Sequence, residues 1–452
     1  MSKKMPNFTA TTNACKLCKP LGAAIAFRGV EGCVPFLHGS QGCATYMRRY
    51  IISHFNEPID IASSSLGEKN AIYGGGPNLK LGLKNVTAKY APKLIGVATT
   101  CLTETIGDNV PMILAEYKKE FGEPDAPLLV HVATPSYAGT HMEGFHAAIT
   151  AVVKQLTDKA APPNRTVNLL PGFVSPADVR YLRSVMENFG IEATILPDYS
   201  DTLDGPALLD YPLIPEGGTS LSAIRQMGGA TATVELGATL PAETGGSVLL
   251  RDHGVQLHRT GLPIGIRATD DFLDLLAEIS GSEVPRHHLA ARGRLVDSMV
   301  DGHKYIFGKR AVVYGEEDLV VGLTGFLAEI GIRPVLCASG GKSGKMAEGI
   351  AAATLNLDCE MPMVSEDVDF YDIEAQAKEL GVDLVIGHSK GYAFARKENL
   401  PLIRVGFPIH DRVGGERILH LGYQGAQALF DLITNTVIEK KQSDSPVGYS
   451  YM

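Results

Sequence analysis

Three cysteines of this chain stand in similar local sequences, beside small and turn-forming residues. They are Cys18 in KLCKPLGA, Cys43 in GSQGCATY and Cys101 in ATTCLTETIGD, in a chain with only seven cysteines among 452 residues. Thiolates in glycine-containing loops are typical iron-sulfur ligands, because a residue without a side chain lets the backbone approach the inorganic core. The trio indicates an iron-sulfur site, whereas each cysteine taken alone is as compatible with a small buried hydrophobic residue.

The number of cysteines points to a second chain. Three thiolates are too few for an ordinary four-cysteine cluster, so further ligands must come from elsewhere, and a partner chain is their natural source. The one C-x-x-C pair, Cys15 and Cys18, has no second pair with which to form a zinc ribbon.

Composition excludes several classes of function. The chain is 45% hydrophobic and 20% charged with a formal net charge of -9, which does not suit a nucleic-acid partner. No run of about 18 apolar residues predicts a membrane span, and the N-terminus has no apolar signal region. We therefore expect a cytoplasmic protein, in which thiols stay reduced and serve as metal ligands or catalytic groups rather than disulfides.

The elements that must position these cysteines follow a repeated strand-helix-strand pattern. In the segment TVNLLPGFVSPADVRYLRSVMENFGIEATILPD, Ser175 suits a helix N-cap, Pro176 its first turn and Gly190 its end. The segment KRAVVYGEEDLVVGLTGFLAEIGIRPVLCAS repeats the pattern and ends its helix at Gly331. Crossover helices imply parallel sheets. The sequence predicts an α/β fold of three doubly wound Rossmann-like domains, at residues 1–163, 164–303 and 304–452.

Two candidate ligands follow predicted strands directly. Cys101 comes after LIGVATT and Ser136 comes after LLVHVATP. Ligands of open α/β sheets bind beyond the carboxyl ends of the strands, so both residues lie where a site is expected. The lysine-containing loop ASGGKSGKM has Leu336 five positions before Gly341, where a P-loop needs glycine, and is interpreted as a solvated loop.

Longer motifs carry a family resemblance. The segments HGSQGCATYMRRYIISHFNEP, IGVATTCLTETIGDN and LIRVGFPIHDRVGGERILHLGYQG, among others along nearly the whole chain, resemble β-type subunits of the nitrogenase component 1 superfamily. In catalytic members, the β chain supplies three cysteines and a serine to an eight-iron, seven-sulfide P-cluster shared with the α chain. The resemblance assigns those ligands to Cys18, Cys43, Cys101 and Ser136, with the serine binding in a redox-dependent way.

The resemblance also implies partners and absences. An α-type subunit completes an α₂β₂ heterotetramer and carries the active-site cofactor, and a separate homodimeric ATP-dependent iron-sulfur reductase supplies electrons. Gly39 to Gly42 are interpreted as a close-packed turn that presents Cys43, at which larger side chains collide. Cys15, Cys33, Cys337 and Cys359 match no ligand position.

A second candidate site is made of carboxylates. Asp297 and Asp301 lie four apart in RLVDSMVDGHK and share a helix face, which is equally compatible with a plain solvated surface. In the family's β chains such a pair joins a glutamate, here Glu57, to bind a cation between two β subunits. The preceding residue, usually arginine, is Asn56 here, and it contributes a backbone carbonyl in the family.

Three functions remain open on the sequence. The chain is an electron-relay subunit of a nitrogenase-like reductase acting on dinitrogen or another substrate such as a methylthio-alkane, or the β-type chain of a scaffold that matures the iron-molybdenum cofactor. The third is a structural partner with unmetallated cysteines. A scaffold needs only a four-iron, four-sulfide cluster, and the substrate binds in the partner chain.

Overall fold

A computed structural model describes residues 13–122 and 126–448. Three sheets carry its strands, and each pair of neighbouring strands in them is parallel. The strands are β1 Cys33–His38, β2 Ala62–Ser63, β3 Leu94–Thr99, β4 Leu128–Val132, β5 Val167–Leu170, β6 Ala193–Ile195, β7 Ala232–Leu236, β8 Gln256–Thr260, β9 Arg310–Tyr314, β10 Arg333–Ala338, β11 Met363–Ser365, β12 Leu384–Gly387 and β13 Leu402–Arg404.

Helices connect the strands. They are α1 Lys19–Arg28, α2 Gln41–Phe55, α3 Asn70–Tyr73, α4 Gly76–Tyr90, α5 Cys101–Ile106, α6 Val110–Phe121, α7 His141–Leu156, α8 Pro176–Asn188, α9 Leu221–Gln226, α10 Gly245–His253, α11 Arg267–Ser280, α12 Arg286–Ile306, α13 Glu317–Glu329, α14 Met346–Ala353, α15 Phe370–Leu380, α16 Tyr392–Lys397 and α17 Gly422–Asp444. None in the described ranges is both long and apolar enough to span a bilayer.

The sheet orders are those of doubly wound units. They are β2-β1-β3-β4, β6-β5-β7-β8 and β11-β10-β9-β12-β13. One large buried cluster joins all three sheets, while smaller clusters cover the opposite faces of the first and third. The predicted fold class is confirmed. The domain boundaries stay a prediction; near the second of them the chain is helical to Ile306, and it leaves the helix at Phe307.

Local contacts determine where helices α8 and α13 begin and end. The hydroxyl of Ser175 accepts a hydrogen bond from the Asp178 N–H at 3.0 Å, which caps α8. Gly190 and Gly331 have φ of +66° and +78° just beyond the ends of α8 and α13, a conformation that favours glycine. These predicted starts and stops are confirmed.

A close helix crossing fixes the start of the chain. Helix α1 packs along α7, and a side-chain carbon on Gly22 would lie 1.6 Å from the carbonyl oxygen of His141. A carbon on Gly144 would lie 1.8 Å from the carbonyl oxygen of Lys19. Both contacts are shorter than atoms allow, so the crossing requires glycine on each helix. It holds the residue after Cys18 against the helix that follows Ser136.

Residues 13–17, which we name the N-terminal strap, lie against the third sheet. The N–H of Phe370 donates to the carbonyl of Asn13 at 3.3 Å, and Ala14 forms an antiparallel bridge with Asp369. Cys15 is buried in the hydrophobic cluster of that sheet. The strap therefore connects the third sheet to Cys18.

Candidate metal-cluster site

The four predicted ligands lie where helices or turns begin. Cys18 is the N-cap of α1, Cys43 is the third residue of α2, and Cys101 is the first residue of α5. Ser136 opens a 3₁₀ turn that follows β4. The N-terminal ends of α1 and α2 carry partial positive charge, which attracts negatively charged groups.

Hydrogen bonds tie three of these residues together. The backbone N–H of Ser136 donates to Sγ of Cys101 at 3.2 Å. The hydroxyl of Ser136 accepts the Lys19 N–H at 3.3 Å, next to Cys18. Cys18 also forms an antiparallel bridge with Thr140, near the start of α7. The carboxyl ends of β3 and β4 thus meet the start of α1 at one place.

Electrostatics place the thiols within range of one another. Burial raises the pKa of Cys18, negative charge on Cys101 and Cys43 raises it further, and a hydrogen bond with Ser136 and the charge of Lys390 oppose the rise. Three neighbouring thiolates repel one another unless positive charge lies between them. Iron supplies such charge and prefers thiolate ligands, so this donor set fits an iron-sulfur cluster.

The other cysteines have a different environment. Cys15, Cys33 and Cys337 are buried, and burial raises the pKa of each thiol to about 12. Cys359 is half-buried, and burial raises its pKa as well. A neutral buried thiol behaves as a small hydrophobic group.

The turn before Cys43 is tightly packed within this chain at Gly39 and open at Gly42, so the predicted collision at Gly42 with a cluster or a partner chain stays a prediction. A side-chain carbon on Gly39 would lie 2.1 Å from Oγ1 of Thr100, so only glycine fits. A carbon on Gly42 would have only Oγ of Ser40 within 4 Å, at 3.9 Å. Gly42 lies in the first turn of α2 with its open side toward solvent. The surface beside Cys43 is therefore open in the single chain.

A buried histidine, His38, forms hydrogen bonds that hold the loop next to this turn. His38 lies at the end of β1, with Nδ1 at 2.9 Å from Oγ of Ser64 and Nε2 at 3.1 Å from a carboxylate oxygen of Asp108. Asp108 also accepts the Gly75 N–H at 3.0 Å. Because both ring nitrogens are engaged, His38 holds the loop and has no nitrogen free for a cluster.

The predicted cation ligands lie on different elements of the chain and do not form a metal site within the described residues. Asp297 and Asp301 are exposed on α12, while half-buried Glu57 accepts the Gly205 N–H at 3.2 Å. Burial raises the pKa of the Glu57 carboxyl. Asn56 has φ of +57° at the end of α2, a conformation that asparagine tolerates. A site between two copies stays a prediction.

No group of three or more His, Cys, Asp or Glu side chains within residues 13–122 and 126–448 is arranged to hold a metal ion. The three thiols thus do not converge on one ion-sized point. Ligands of a multi-iron core need not converge, since each thiolate binds a different iron.

The loop ASGGKSGKM, which the sequence predicts to be solvated, packs largely against other parts of the chain. Gly340 and Gly341 are buried, and a side-chain carbon on Gly340 would lie 2.4 Å from the carbonyl oxygen of Cys15. The N–H groups of Ser343 and Gly344 donate to Glu317 and Glu366, at 3.1 and 3.2 Å. Internal carboxylates therefore take the amides that a P-loop offers to phosphate, so the conclusion that it is no P-loop agrees with this geometry.

Sequence reasoning missed two residues beside the strap. Nδ1 of His141 accepts the backbone N–H of Leu17 at 3.4 Å, and the backbone N–H of His141 donates to the Leu17 carbonyl at 3.0 Å. Nε2 of His141 pairs with the Glu316 carboxylate at 3.0 Å. Nζ of Lys390 donates to the carbonyl of Lys16 at 3.4 Å. For these two residues, the one sequence feature that indicated a site was the position of Lys390 after the apolar run VDLVIG, because residues beyond the carboxyl ends of strands contact ligands.

Comparison with known proteins agrees with this fold. A family model for nitrogenase component 1 type oxidoreductases matches residues 18–438. The nitrogenase molybdenum-iron protein beta chain of Clostridium pasteurianum is 37% identical over 428 residues, covering 95% of this chain and 93% of that one. The nitrogenase vanadium-iron protein beta chain of Trichormus variabilis is 34% identical over 433 residues, covering 93% and 92%.

A solved structure is similar over the full length. The structure titled "Nitrogenase Cp1 at pH 6.5" superposes with a TM-score of 0.95 at 35% identity, covering 100% of this chain and 98% of that one. The chain belongs to the nitrogenase component 1 type oxidoreductase family. Within that family it is a β-type subunit, which confirms the resemblance.

Proposed function

We propose that this chain is the electron-relay subunit of a nitrogenase-like reductase. It holds half of an eight-iron, P-cluster-like iron-sulfur cluster through Cys18, Cys43, Cys101 and Ser136. An α-type partner supplies the other ligands and the active-site cofactor, and the two chains form a cytoplasmic α₂β₂ heterotetramer. The electrons come from a homodimeric ATP-dependent iron-sulfur reductase.

The observation that carries this proposal is the environment of Cys18. Its thiol interacts electrostatically with Cys43 and Cys101 and forms a hydrogen bond with Ser136, although the four residues come from separate helix and strand ends. A structural protein has no need to gather three thiols whose charges oppose one another. The open face at Gly42 leaves space for a cluster or a partner chain beside Cys43.

The protein groups have separate tasks in this proposal. The Ser136 N–H donates to the Cys101 sulfur and orients it, while the closed contact at Gly39 fixes the turn before Cys43. The cluster, when bound, supplies one-electron redox chemistry at the subunit interface. The Ser136 oxygen is a harder donor than sulfur, which suits more oxidised iron.

The names of the relatives are consistent with the relay and do not distinguish it from the scaffold. Those described above are named as beta chains of molybdenum-iron and vanadium-iron nitrogenase proteins. A scaffold for the iron-molybdenum cofactor is the alternative, and it needs only a four-iron cluster, for which three thiolates and one partner ligand suffice.

Iron counting separates the two functions. The chain is co-expressed with its α-type partner, and Mössbauer spectroscopy with metal analysis measures the iron at each αβ interface. Eight irons there support the relay. Four irons would contradict it and favour the scaffold, and none would favour a structural partner.

We also propose that Glu57 of one β subunit and Asp297 and Asp301 of another hold a cation across the tetramer. Two features support this. Both aspartates are exposed on one helix, and the Glu57 carboxyl lies at the end of the helix that carries Cys43.

A further inference from the structure

Lys390 occupies a rigid turn at the carboxyl end of β12. The hydroxyl of Tyr314 donates to the carbonyl of His388 at 2.6 Å, and the Ser389 N–H donates to the carbonyl of Pro408 at 3.1 Å. A side-chain carbon on Gly391 would lie 2.1 Å from the Tyr314 hydroxyl, so the chain after Lys390 is closely packed. The backbone of Lys390 is therefore held from both sides.

The strap runs directly over this turn. The side-chain amide of Asn13 donates to the carbonyl of Lys390 at 2.9 Å, and Nζ of Lys390 donates to the carbonyl of Lys16 at 3.4 Å. Lys16 is two residues before Cys18. The ammonium group of a residue in the third sheet thus lies beside the segment that delivers the first cluster ligand.

The ammonium group of Lys390 interacts electrostatically with two thiols. Burial lowers the pKa of its ammonium, and negative charge on Cys15 and Cys18 acts to raise it again. Lys390 in turn favours the thiolate of Cys18. Cys15 lies in the hydrophobic cluster of the third sheet, whereas Cys18 follows two residues after the Lys16 carbonyl that Nζ of Lys390 contacts.

Two other lysines in or near the strap are paired with a carboxylate. Lys16 and Lys342 both lie near the carboxylate of Asp367, at 2.8 and 3.7 Å. The Lys342 side chain is also exposed to solvent, which screens its charge. A half-buried cation acts at longer range than an exposed, paired one.

We propose that Lys390 sets the reduction potential of the cluster bound at Cys18; this inference rests on the proposed function. Loss of one electron makes a cluster and its thiolates less negative by one charge. A fixed cation nearby stabilises the more negative, reduced form. Net charge and environment are the means by which proteins tune iron-sulfur potentials. Removal of the Lys390 charge therefore makes the cluster easier to oxidise.

The test uses the α₂β₂ complex with Lys390→Met, Lys390→Arg and the matched control Lys342→Met. Iron per αβ pair is measured first, and then the midpoint potential by a titration followed by electron paramagnetic resonance. We expect full iron in all three, a lower midpoint potential in Lys390→Met, a value near wild type in Lys390→Arg, and no change in Lys342→Met.

Several results would overturn the inference. Equal midpoint potentials in wild type and Lys390→Met, with full iron in both, refute it and leave the proposed function standing. A shift of the same size in Lys342→Met shows a general charge effect and also refutes it, and so does loss of iron from both Lys390 variants. A wild-type complex without interfacial iron overturns the proposed function itself, and this inference with it.

Discussion

The backbone N–H of Ser136 donates a hydrogen bond to the sulfur of Cys101 at 3.2 Å. An amide at the end of one strand is thereby directed at the thiol that follows the neighbouring strand. The contact belongs to the backbone, so replacement of the Ser136 side chain leaves it in place. Two contributions of Ser136, its amide and its hydroxyl, can thus be separated by mutation.

Ser136→Ala removes only the hydroxyl. The Lys19 N–H loses its acceptor, a net loss of about 1 kcal/mol for one hydrogen bond. We expect full iron content and a nearly unchanged reduced state. The midpoint potential of the oxidised couple should rise, because the more oxidised irons lose an oxygen ligand. A redox titration measures this, with exposed Ser222→Ala as the control; an unchanged titration would make Ser136 a plain turn residue.

Cys43→Ala removes a proposed cluster ligand. We expect loss of cluster iron and weaker pairing with the α-type subunit, because metal-ligand free energy is also assembly free energy. Metal analysis and co-purification measure both. Cys359→Ala is the matched control, since that thiol is half-buried and lies outside the site. Full iron and normal pairing in Cys43→Ala would remove Cys43 from the ligand set.

Features set by neighbouring residues could be predicted from the sequence. Ser175 at an N-cap and Gly331 after a helix act through contacts within a few residues, so their types alone reveal them. The alternation of apolar runs and helices gave the parallel sheets for the same reason. The ligand set came from the family resemblance, and the structure places Cys18, Ser136 and Cys101 together.

Features set by distant residues could not be predicted. Lys390 meets Lys16 across 374 positions of the chain, and no local pattern encodes that contact. The burial of Gly340 depends on Cys15, which precedes it by most of the chain. The close contact of Gly39 with Thr100 likewise joins residues 61 positions apart, which the GSQG motif by itself does not reveal.

Mild acid should destabilise the chain through His54. This side chain is fully buried, its Nδ1 accepts the Ile409 N–H at 2.9 Å, and burial lowers its pKa to about 3. The unfolded chain binds the proton near pH 6.5 and the folded chain does not, so stability is present above pH 6.5 and falls as pH decreases toward 3. His54 alone should cost about 2 kcal/mol between pH 7 and pH 5.

His54→Asn tests this pH dependence. An asparagine oxygen keeps an acceptor for the Ile409 N–H but does not titrate. Urea unfolding of the metal-free chain at pH 7 and pH 5 measures the loss of stability in each protein. The variant should lose less stability on acidification than wild type. Equal losses in the two proteins would show that His54 does not titrate on unfolding.

The double substitution Asp297→Asn and Asp301→Asn should weaken contact between two β subunits. Both carboxylates are exposed on α12, so the fold of the chain should be unaffected. Loss of a bridging cation removes its attraction across the interface, and the tetramer should dissociate into αβ pairs at higher protein concentration than wild type. Sedimentation velocity measures this, with exposed Asp274→Asn on α11 as the control. An unchanged tetramer that also resists chelators would exclude the cation site.

The two glycines before Cys43 should respond differently to alanine. A methyl group on Gly39 meets Oγ1 of Thr100 at 2.1 Å, so Gly39→Ala should destabilise the chain itself by about 1–3 kcal/mol, as overpacking does. Apart from its own helix backbone, a methyl group on Gly42 meets nothing closer than 3.9 Å within the described part of the chain, and alanine favours the helix that begins there. Gly42→Ala should therefore fold as stably as wild type.

The two variants separate folding from assembly. If Gly42 lies against the cluster or the α-type chain, as we propose, Gly42→Ala should lose iron and α pairing while the single chain keeps its unfolding midpoint. Gly39→Ala should lower that midpoint whether or not the partner is present. Thermal unfolding of the single chain, with iron content of the co-expressed complex, measures both. Full iron and normal pairing in Gly42→Ala would place the cluster and the partner away from this face, because an added methyl group disrupts a closely packed interface.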